Sequence, residues 1–189
     1  DIIGVVERVS DIDFPSLPQQ FVIKGVHGCG FNLIVKDKHQ LNTFKAKFLL
    51  HKWMHKNQYH RTGKEWAYKD VKPRLLIEEY MQDADREALN DYKFYCFNGK
   101  PKFLEVHLDR TGPHTSAFYD LDFQQLPFRD GPPESVIQDK LPRPANFEEM
   151  IELAEKLADQ FPFVRVDFYS IEGKTVFGEM TFYPADAKL

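Results

Sequence analysis

The stretch FVRVDFYSIEGKTVFGEMTF, residues 163–182, predicts a β-hairpin near the C-terminal end of the chain. Its β-branched and aromatic residues form two runs, and the short segment between them contains a glycine, which is typical of a tight turn. If residues 172–174 form a three-residue loop, Asp167 faces Glu179 directly across the two strands. The sequence therefore predicts two carboxylates side by side on one face of this hairpin.

This arrangement of charges indicates a cation site. Like charges directly opposite each other on paired strands repel, so Asp167 and Glu179 need a cation between them. Carboxylate oxygens on rigid strands suit Mg²⁺, and the same register places Arg165 opposite Thr181 on that face. Two alternatives stay open: a solvated face whose acids pair with Arg165, or a two-residue turn that slips the register and turns Glu179 to the other face. The predicted apolar face comprises Val164, Val166, Phe168, Val176, Met180 and Phe182.

A glycine-rich loop joins two predicted strands earlier in the chain. The runs FVIK (21–24) and LIVK (33–36) flank GVHGCGFN. Glycines let backbone N–H groups approach an anion closely, and Lys24 at the edge of the loop supplies a positive charge for a phosphate. A loop between two strands is neither a P-loop nor a dinucleotide fingerprint but is similar to a flap over ATP phosphates. A simple hairpin loop with a solvated lysine is the alternative.

Two helices are predicted. Asp37, with Gln40 three residues on, predicts a helix through about residue 57, and Asn146 with Glu149 predicts a second that ends before Pro162. The first helix carries several lysines without acidic residues among them. This basic face either is simply solvated or contacts an anionic partner. Its predicted apolar residues are Leu41, Phe44, Phe48, Leu49 and Trp53. The predicted core face of the second comprises Phe147, Met150, Ile151, Ala154, Leu157, Ala158 and Phe161.

Composition and charge limit the class of protein. The chain has 189 residues, 42% hydrophobic and 29% charged, with a net charge of −4, which disfavours a nucleic-acid-coating role. No apolar run approaches the roughly 20 residues of a membrane helix. Two cysteines form no disulfide framework, so we expect a cytoplasmic location. A strand at residues 74–81 and an Asn98-Gly99 hairpin complete an alternation that favours a mixed, mainly antiparallel α+β fold.

Taken in order, four stretches resemble the TupA-like ATP-grasp family, which is linked to teichuronopeptide and other surface-polysaccharide synthesis. They are FVIKGVHGCGFN, LLIEEYM, DYKFYCFNGKP and RVDFY with FGEMTF. The resemblance implies two α+β subdomains that grip ATP between them. We expect the subdomains at 21–82 and 83–189, with residues 1–20 as a lead-in left from an upstream segment. Two prolines predict that residues 11–20 of this lead-in are extended.

The resemblance also implies roles for particular residues. Lys24 contacts phosphate, Asp91 binds ribose, and Lys93 and Arg110 face phosphate or the bound acid. Arg165 stabilises negative charge at the reacting centre. Asp167, Glu179 and Thr181 hold Mg²⁺, although most ATP-grasp enzymes have asparagine where Thr181 stands. The remaining implied ATP contacts are the flap residues His27, Gly28, Cys29 and Gly30 and the adenine-hinge residues Glu78, Glu79, Tyr80 and Met81.

The activity implied is that of an ATP- and Mg²⁺-dependent ligase. Such enzymes activate a carboxylate as an acyl phosphate, which an amine then attacks. We expect a sugar acid or other carboxylate and an amine or amino acid as substrates, in the synthesis of a cell-surface polysaccharide. Two alternatives stay open: phosphorylation of a sugar hydroxyl, or a nucleotide-binding module without catalysis, for which the threonine at 181 is the motive.

Overall fold

The computed structural model describes residues 1–60, 66–81, 89–108 and 115–184. The chain divides into two compact units, Asp1–Met81 and Gln82–Leu189, each with its own sheet and hydrophobic core. Every strand pair within the two sheets is antiparallel. Within the described ranges, no helix has both the length and the apolar character needed to cross a bilayer.

The first unit is a four-stranded sheet covered by one α-helix. The strands are β1 (Ile2–Val6), β2 (Phe21–Gly25), β3 (Asn32–Val35) and β4 (Leu75–Glu79), in the order β1-β4-β2-β3, and the helix is α1 (Thr43–Met54). Burial of the β2 and β4 side chains against α1 forms the core, which includes Phe21, Ile23, Leu50 and Leu75.

The N-terminal residues are part of this unit, and residues 11–20 are not the extended segment that was predicted. Strand β1 pairs with β4, and the following segment makes two short 3-10 turns, Val9–Asp11 and Phe14–Ser16. Phe14 and Leu17 of this segment are buried in the core. The prolines around them suggested an extended chain, but burial of the apolar side chains determines its path.

The first helix differs from its prediction at both ends and in its orientation. Asp37 caps only a 3-10 turn, Lys38–Gln40, and Asn42 caps α1 by accepting a hydrogen bond from the backbone N–H of Lys45. The helix ends at Met54 rather than near residue 57. Its buried residues are Ala46, Leu50 and Trp53, whereas the predicted core residues Phe44 and Phe48 are exposed.

The second unit is a five-stranded sheet with a helix on one face. The strands are β5 (Asp91–Phe97), β6 (Lys100–Leu108), β7 (Thr115–Tyr119), β8 (Phe163–Ile171) and β9 (Lys174–Thr181), in the order β7-β6-β5-β8-β9. The helix α2 (Phe147–Ala158) packs on the face that carries Phe94, Val106 and Val166. Asn98 and Gly99 both have positive φ, at 48° and 76°, which confirms the predicted two-residue hairpin between β5 and β6.

Helix α2 largely matches its prediction, but Asn146, the residue before the helix, does not cap it as expected. Asn146 makes no capping hydrogen bond. Its Nδ2 donates to Thr175 Oγ1 at 2.9 Å and its Oδ1 accepts from Ser170 Oγ at 2.8 Å. The start of the helix is thereby tied to the hairpin of β8 and β9. Leu157, expected in the core, is exposed.

Candidate active site

The hairpin of β8 and β9 turns through two residues rather than the predicted three. Glu172 and Gly173 have φ of 51° and 76°, and Ile171 pairs directly with Lys174. Both central residues therefore lie in the left-handed region that two-residue hairpin turns favour. With this turn alone, Glu179 would point to the opposite face from Asp167.

A β-bulge restores the predicted pairing. The register shifts between Asp167 and Phe168, so that Asp167 pairs with Glu179 while Phe168 pairs with Phe177. The extra residue is Gly178, where an added Cβ would lie 3.0 Å from the backbone oxygen of Asp167. The pairing of Asp167 with Glu179 is thus confirmed, by a different route from the one expected. Beyond the bulge Val176 pairs with Tyr169, so its predicted place on the apolar face is wrong.

The neighbouring strand brings two more predicted site residues to this face. Lys93 on β5 pairs with Asp167 on β8, and two residues away Asp91 pairs with Tyr169. Alternation along β5 turns Phe94 and Cys96 towards α2, which leaves the odd-numbered residues on the opposite face. We call the face that carries Asp91, Lys93, Arg165, Asp167, Glu179 and Thr181 the polar face of the second sheet.

Ion pairs connect these side chains. Lys93 Nζ lies 2.6 Å from Asp167 Oδ2 and 2.7 Å from Asp91 Oδ2. Arg165 donates to both oxygens of Asp167, from Nε to Oδ1 and from Nη2 to Oδ2, each at 2.8 Å. The same Nη2 lies 3.1 Å from Thr181 Oγ1 and 3.5 Å from Glu179 Oε1. Arg165 therefore holds together the side chains expected to bind metal.

The cluster is buried at one end and open at the other. Asp91, Lys93 and Asp167 are 0%, 5% and 1% exposed, whereas the side chain of Glu179 is 65% exposed. Charges in such surroundings persist only when they are paired. Burial lowers the pKa of Arg165, but hydrogen bonds and charge from Asp167 outweigh it and raise that pKa. Arg165 is therefore a permanent cation.

A second group of polar residues on the same face was not predicted from the sequence. Glu105 on β6 pairs with Lys93, and its Oε2 lies 3.3 Å from Tyr95 Oη and 3.0 Å from His107 Nε2. Burial raises the pKa of Glu105, but the hydrogen bond and charge of His107, with smaller effects of Ser116 and Lys93, outweigh it, so the pKa is lowered. Burial, followed by the charge of Glu105, raises the pKa of Tyr95 to about 12. The sequence does contain a signal for these residues: apolar and polar side chains alternate along Leu104, Glu105, Val106 and His107, as in a strand with one polar face.

The polar face fits a divalent ion through its open end. Oxygen ligands suit Mg²⁺, which is usually held by one or two carboxylates together with substrate phosphates. Glu179 is exposed, whereas both oxygens of Asp167 accept hydrogen bonds from cationic side chains. Among the residues that the structure describes, no group of three or more His, Cys, Asp or Glu side chains forms a complete metal cage. The donor set thus suits an ion that arrives with phosphate oxygens.

The first unit positions the predicted hinge and phosphate residues. Lys24 on β2 forms an ion pair with Glu78 on β4. Glu79 and Tyr80 line an open groove of about 630 Å³, together with the segment 18–20 and the exposed Lys36. Met81, partly buried, follows them at the end of the unit. Arg110 lies outside the residues that the structure describes.

The predicted flap is anchored by its histidine. The His27 ring is buried between Phe31 and α1, with Nε2 2.9 Å from the carbonyl oxygen of Trp53. Only the backbone of His27 is therefore placed to meet a ligand. Cys29 Sγ accepts a hydrogen bond from Gln58 Nε2 at 3.0 Å, while Gly30 has a φ of 72°. A Cβ on Gly28 would lie 2.7 Å from Phe31 Cε2, so only glycine fits this close approach.

Solved structures with the same architecture define the class of fold. One is a D-alanine–D-alanine ligase from Bacillus anthracis complexed with ATP, with a TM-score of 0.52 and 18% identity over 96% of this chain and 48% of that one. Another is phosphoribosylamine–glycine ligase from Thermotoga maritima, with a TM-score of 0.50 and 12% identity over 94% of this chain and 42% of that one. The chain thus has the α+β ATP-grasp fold, as predicted, and spans about half the length of these structures.

The family follows from the whole length of the chain. A family model described as TupA-like ATP-grasp matches residues 1–188. The chain therefore belongs to the TupA-like ATP-grasp family, and the resemblance drawn from its motifs is confirmed. A search of curated proteins found no match.

Proposed function

We propose that this protein is an ATP-dependent, Mg²⁺-assisted ligase that joins a carboxylate to an amine through an acyl phosphate. The observation that carries the proposal is the buried Lys93–Asp167–Arg165 network, on the face of a sheet in an ATP-grasp fold. The two solved proteins described above, with TM-scores of 0.52 and 0.50, are named as ligases, which supports the ligase chemistry. Synthesis of a surface polysaccharide, in the cytoplasm where ATP is available, is part of the proposal and follows from the family resemblance.

The proposed reaction has two steps. A carboxylate oxygen of the first substrate attacks the γ-phosphorus of ATP, which forms an acyl phosphate and releases ADP. The amine then attacks the acyl carbon, and inorganic phosphate leaves as the C–N bond forms. Both steps develop negative charge on oxygen, which fixed donors in a site of low dielectric stabilise strongly. Arg165 is such a donor, since contacts with Asp167 and Thr181 orient its guanidinium group.

Asp167 and Glu179 would hold the metal ion, with the Thr181 hydroxyl beside them. When bound, Mg²⁺ neutralises phosphate charge and polarises the phosphoryl group. Lys93 and Arg165 now pair with Asp167, and a phosphate or acyl oxyanion would compete for the same donors.

The proposal assigns the nucleotide base and its phosphates to the first unit. Backbone groups of Glu79 to Met81 would recognise adenine beside the groove, and Lys24 with the backbone of the flap would contact phosphate. Asp91, the residue expected to bind ribose, is fully buried and paired with Lys93, so it would orient Lys93 rather than contact ribose. Arg110 would contact phosphate or the acid. In this proposal residues 21–82 and 83–189 act as the two subdomains that grip ATP.

The test is release of ADP when the intact protein meets ATP, Mg²⁺ and a panel of uronic acids with amino acids or amines. Replacing Asp167 by Asn should lower kcat/KM by about 100-fold or more, because the carboxylate contacts the cation network and the metal. Asp139→Asn, on an exposed loop of the same unit, is the matched control and should change it less than about two-fold.

Two outcomes would overturn the ligase assignment. Phosphorylated product without any amine would indicate a kinase. Tight ATP binding with no turnover across the panel would indicate a nucleotide-binding module. The Arg165–Thr181 hydrogen bond favours that second candidate, because it engages the hydroxyl that stands where most ATP-grasp enzymes have an amide.

A further inference from the structure

The outer side of helix α1 exposes two large aromatic rings. Phe44 and Phe48 are 81% and 70% exposed, although they were expected in the core. A helix turns about 100° per residue, so Phe44 lies on the side opposite Ala46 and Trp53, which are buried. Burying these rings would be favourable, and within residues 1–60 and 66–81, the described part of the first unit, nothing does so.

Positive charge surrounds these rings. Lys45, Lys47 and Lys52 project from the same helix, Lys56 follows it, and residues 43–57 contain no Asp or Glu. Helical spacing places Lys45 and Lys52 on one side of the Phe44–Phe48 line and Lys47 on the other. The whole chain has a net charge of −4, so this positive surface is local. We call Phe44, Lys45, Lys47, Phe48 and Lys52 the outer face of α1.

We propose that the outer face of α1 binds the surface of a lipid bilayer that contains anionic lipids. Two aromatic rings among lysines without acids are the composition of an interfacial helix, in which rings enter the headgroup region and lysines contact lipid phosphates. Charge complementarity identifies the occupant: the lysines attract a negative surface, and the rings gain from an apolar layer beneath it. This inference goes beyond the proposed ligase activity and does not depend on it.

A groove on an acidic protein would fit the outer face less well. Helices that dock in such grooves use apolar anchors at positions i, i+4 and i+7. Here the first two positions are Phe44 and Phe48, but the third is His51, and His55 follows on the same stripe. The apolar stripe therefore ends after two rings. This length suits shallow insertion supported by charge.

Co-sedimentation with vesicles tests the proposal. The protein should bind vesicles of phosphatidylcholine and phosphatidylserine at about 7:3 and should not bind pure phosphatidylcholine. Each lysine near an anionic surface contributes about a five-fold change in affinity, so Lys45→Gln with Lys52→Gln should weaken binding about 25-fold. Phe44→Ser with Phe48→Ser should weaken it at least ten-fold at unchanged charge.

Matched variants on the same unit control for general effects. Ile34→Ser on β3, at an exposed position, and Lys72→Gln, also exposed, should leave binding within about two-fold. Thermal melting of every variant checks the fold. A Phe48→Trp variant adds a direct readout, because its extra fluorescence should shift to shorter wavelength with anionic vesicles if the ring enters the bilayer.

Three results would overturn the inference. These are absence of binding to anionic vesicles, equal binding to neutral ones, or loss of binding only in the lysine variants with no effect of the phenylalanines. Binding to poly-glutamate but not to vesicles would assign the outer face to an acidic protein instead. None of these measurements involves ATP or turnover, so failure here is distinguishable from failure of the ligase proposal.

Discussion

Replacing Lys93 by Met should destabilise the second unit strongly. Methionine keeps most of the side-chain length but removes the ammonium that lies 2.7 Å from Asp91 and 2.6 Å from Asp167. Asp167 keeps its two hydrogen bonds from Arg165, whereas Asp91, which is fully buried, loses its ion pair with Lys93. Removing one partner of a buried ion pair leaves charge that the protein interior does not solvate.

The expected loss is about 3–5 kcal/mol of the free energy of unfolding, the usual range for a broken buried pair. With a urea m-value near about 2 kcal/mol per molar, the midpoint of unfolding falls by about 2 M. Far-UV circular dichroism is the suitable signal, because both tryptophans, Trp53 and Trp66, lie in the first unit and do not follow the second sheet.

Two further variants make this test specific. Lys102→Met, at an exposed position on β6, should change stability by less than about 0.5 kcal/mol. Adding Asp91→Asn to Lys93→Met should recover part of the loss, since one of the two carboxylates then carries no charge. A loss below about 1 kcal/mol for Lys93→Met, or no recovery in the double variant, would refute the description of Lys93 as the cation that two buried acids share.

Three other variants test separate features. The pKa of Glu105 is lowered in the fold, so the stability that its charge contributes is present above its ordinary pKa of 4.5 and is lost as pH falls through the lower folded pKa. The difference in urea midpoint between wild type and Glu105→Gln should therefore shrink below about pH 4.5. A difference that stays constant with pH would contradict this. Gly28→Ala should lower stability by about 1–3 kcal/mol in thermal melts through contact with Phe31, whereas Gly4→Ala, with open space around it, should not. Asn146→Ala removes two side-chain hydrogen bonds between α2 and the hairpin and should cost about 1–3 kcal/mol, measured by chemical unfolding; an unchanged midpoint would show that these bonds contribute nothing.

The hairpin shows how far local sequence chemistry can predict a site. Alternation places Arg165 and Asp167 on one face and Val164 and Val166 on the other, because strand side chains alternate. The turn was harder to predict, since Glu172 adopts a positive φ that is uncommon for a residue with a side chain. The turn error and the omitted bulge cancelled, so that the predicted pairing of Asp167 with Glu179 stayed correct. A glycine inside a strand, as in TVFGEMTF, is the signal for such a bulge.

Helix α1 shows where periodicity stops being informative. Phe44 and Phe48 recur at helical spacing, as do Ala46, Leu50 and Trp53, so the sequence contains two apolar stripes on opposite sides. Spacing alone does not decide which stripe faces the sheet. The prediction grouped Trp53 with the two phenylalanines, but the structure buries Trp53, which stacks on Phe31, together with Ala46 and Leu50. Tertiary packing, not helical pattern, selects the face.

The net charge of the polar face links its structure to the proposed chemistry. Asp91, Asp167 and Glu179 carry three negative charges against two positive charges on Lys93 and Arg165, so these five residues sum to −1. A nucleotide triphosphate is itself strongly anionic, and a negative surface disfavours its approach. A divalent cation at the open end would reverse the sign of the cluster, so under the proposed function nucleotide and Mg²⁺ must bind with positive coupling. Replacing buried ion pairs by hydrophobic residues of similar size is often neutral or stabilising in proteins. Under the proposed function these buried charges would therefore be kept for the ligand rather than for the fold.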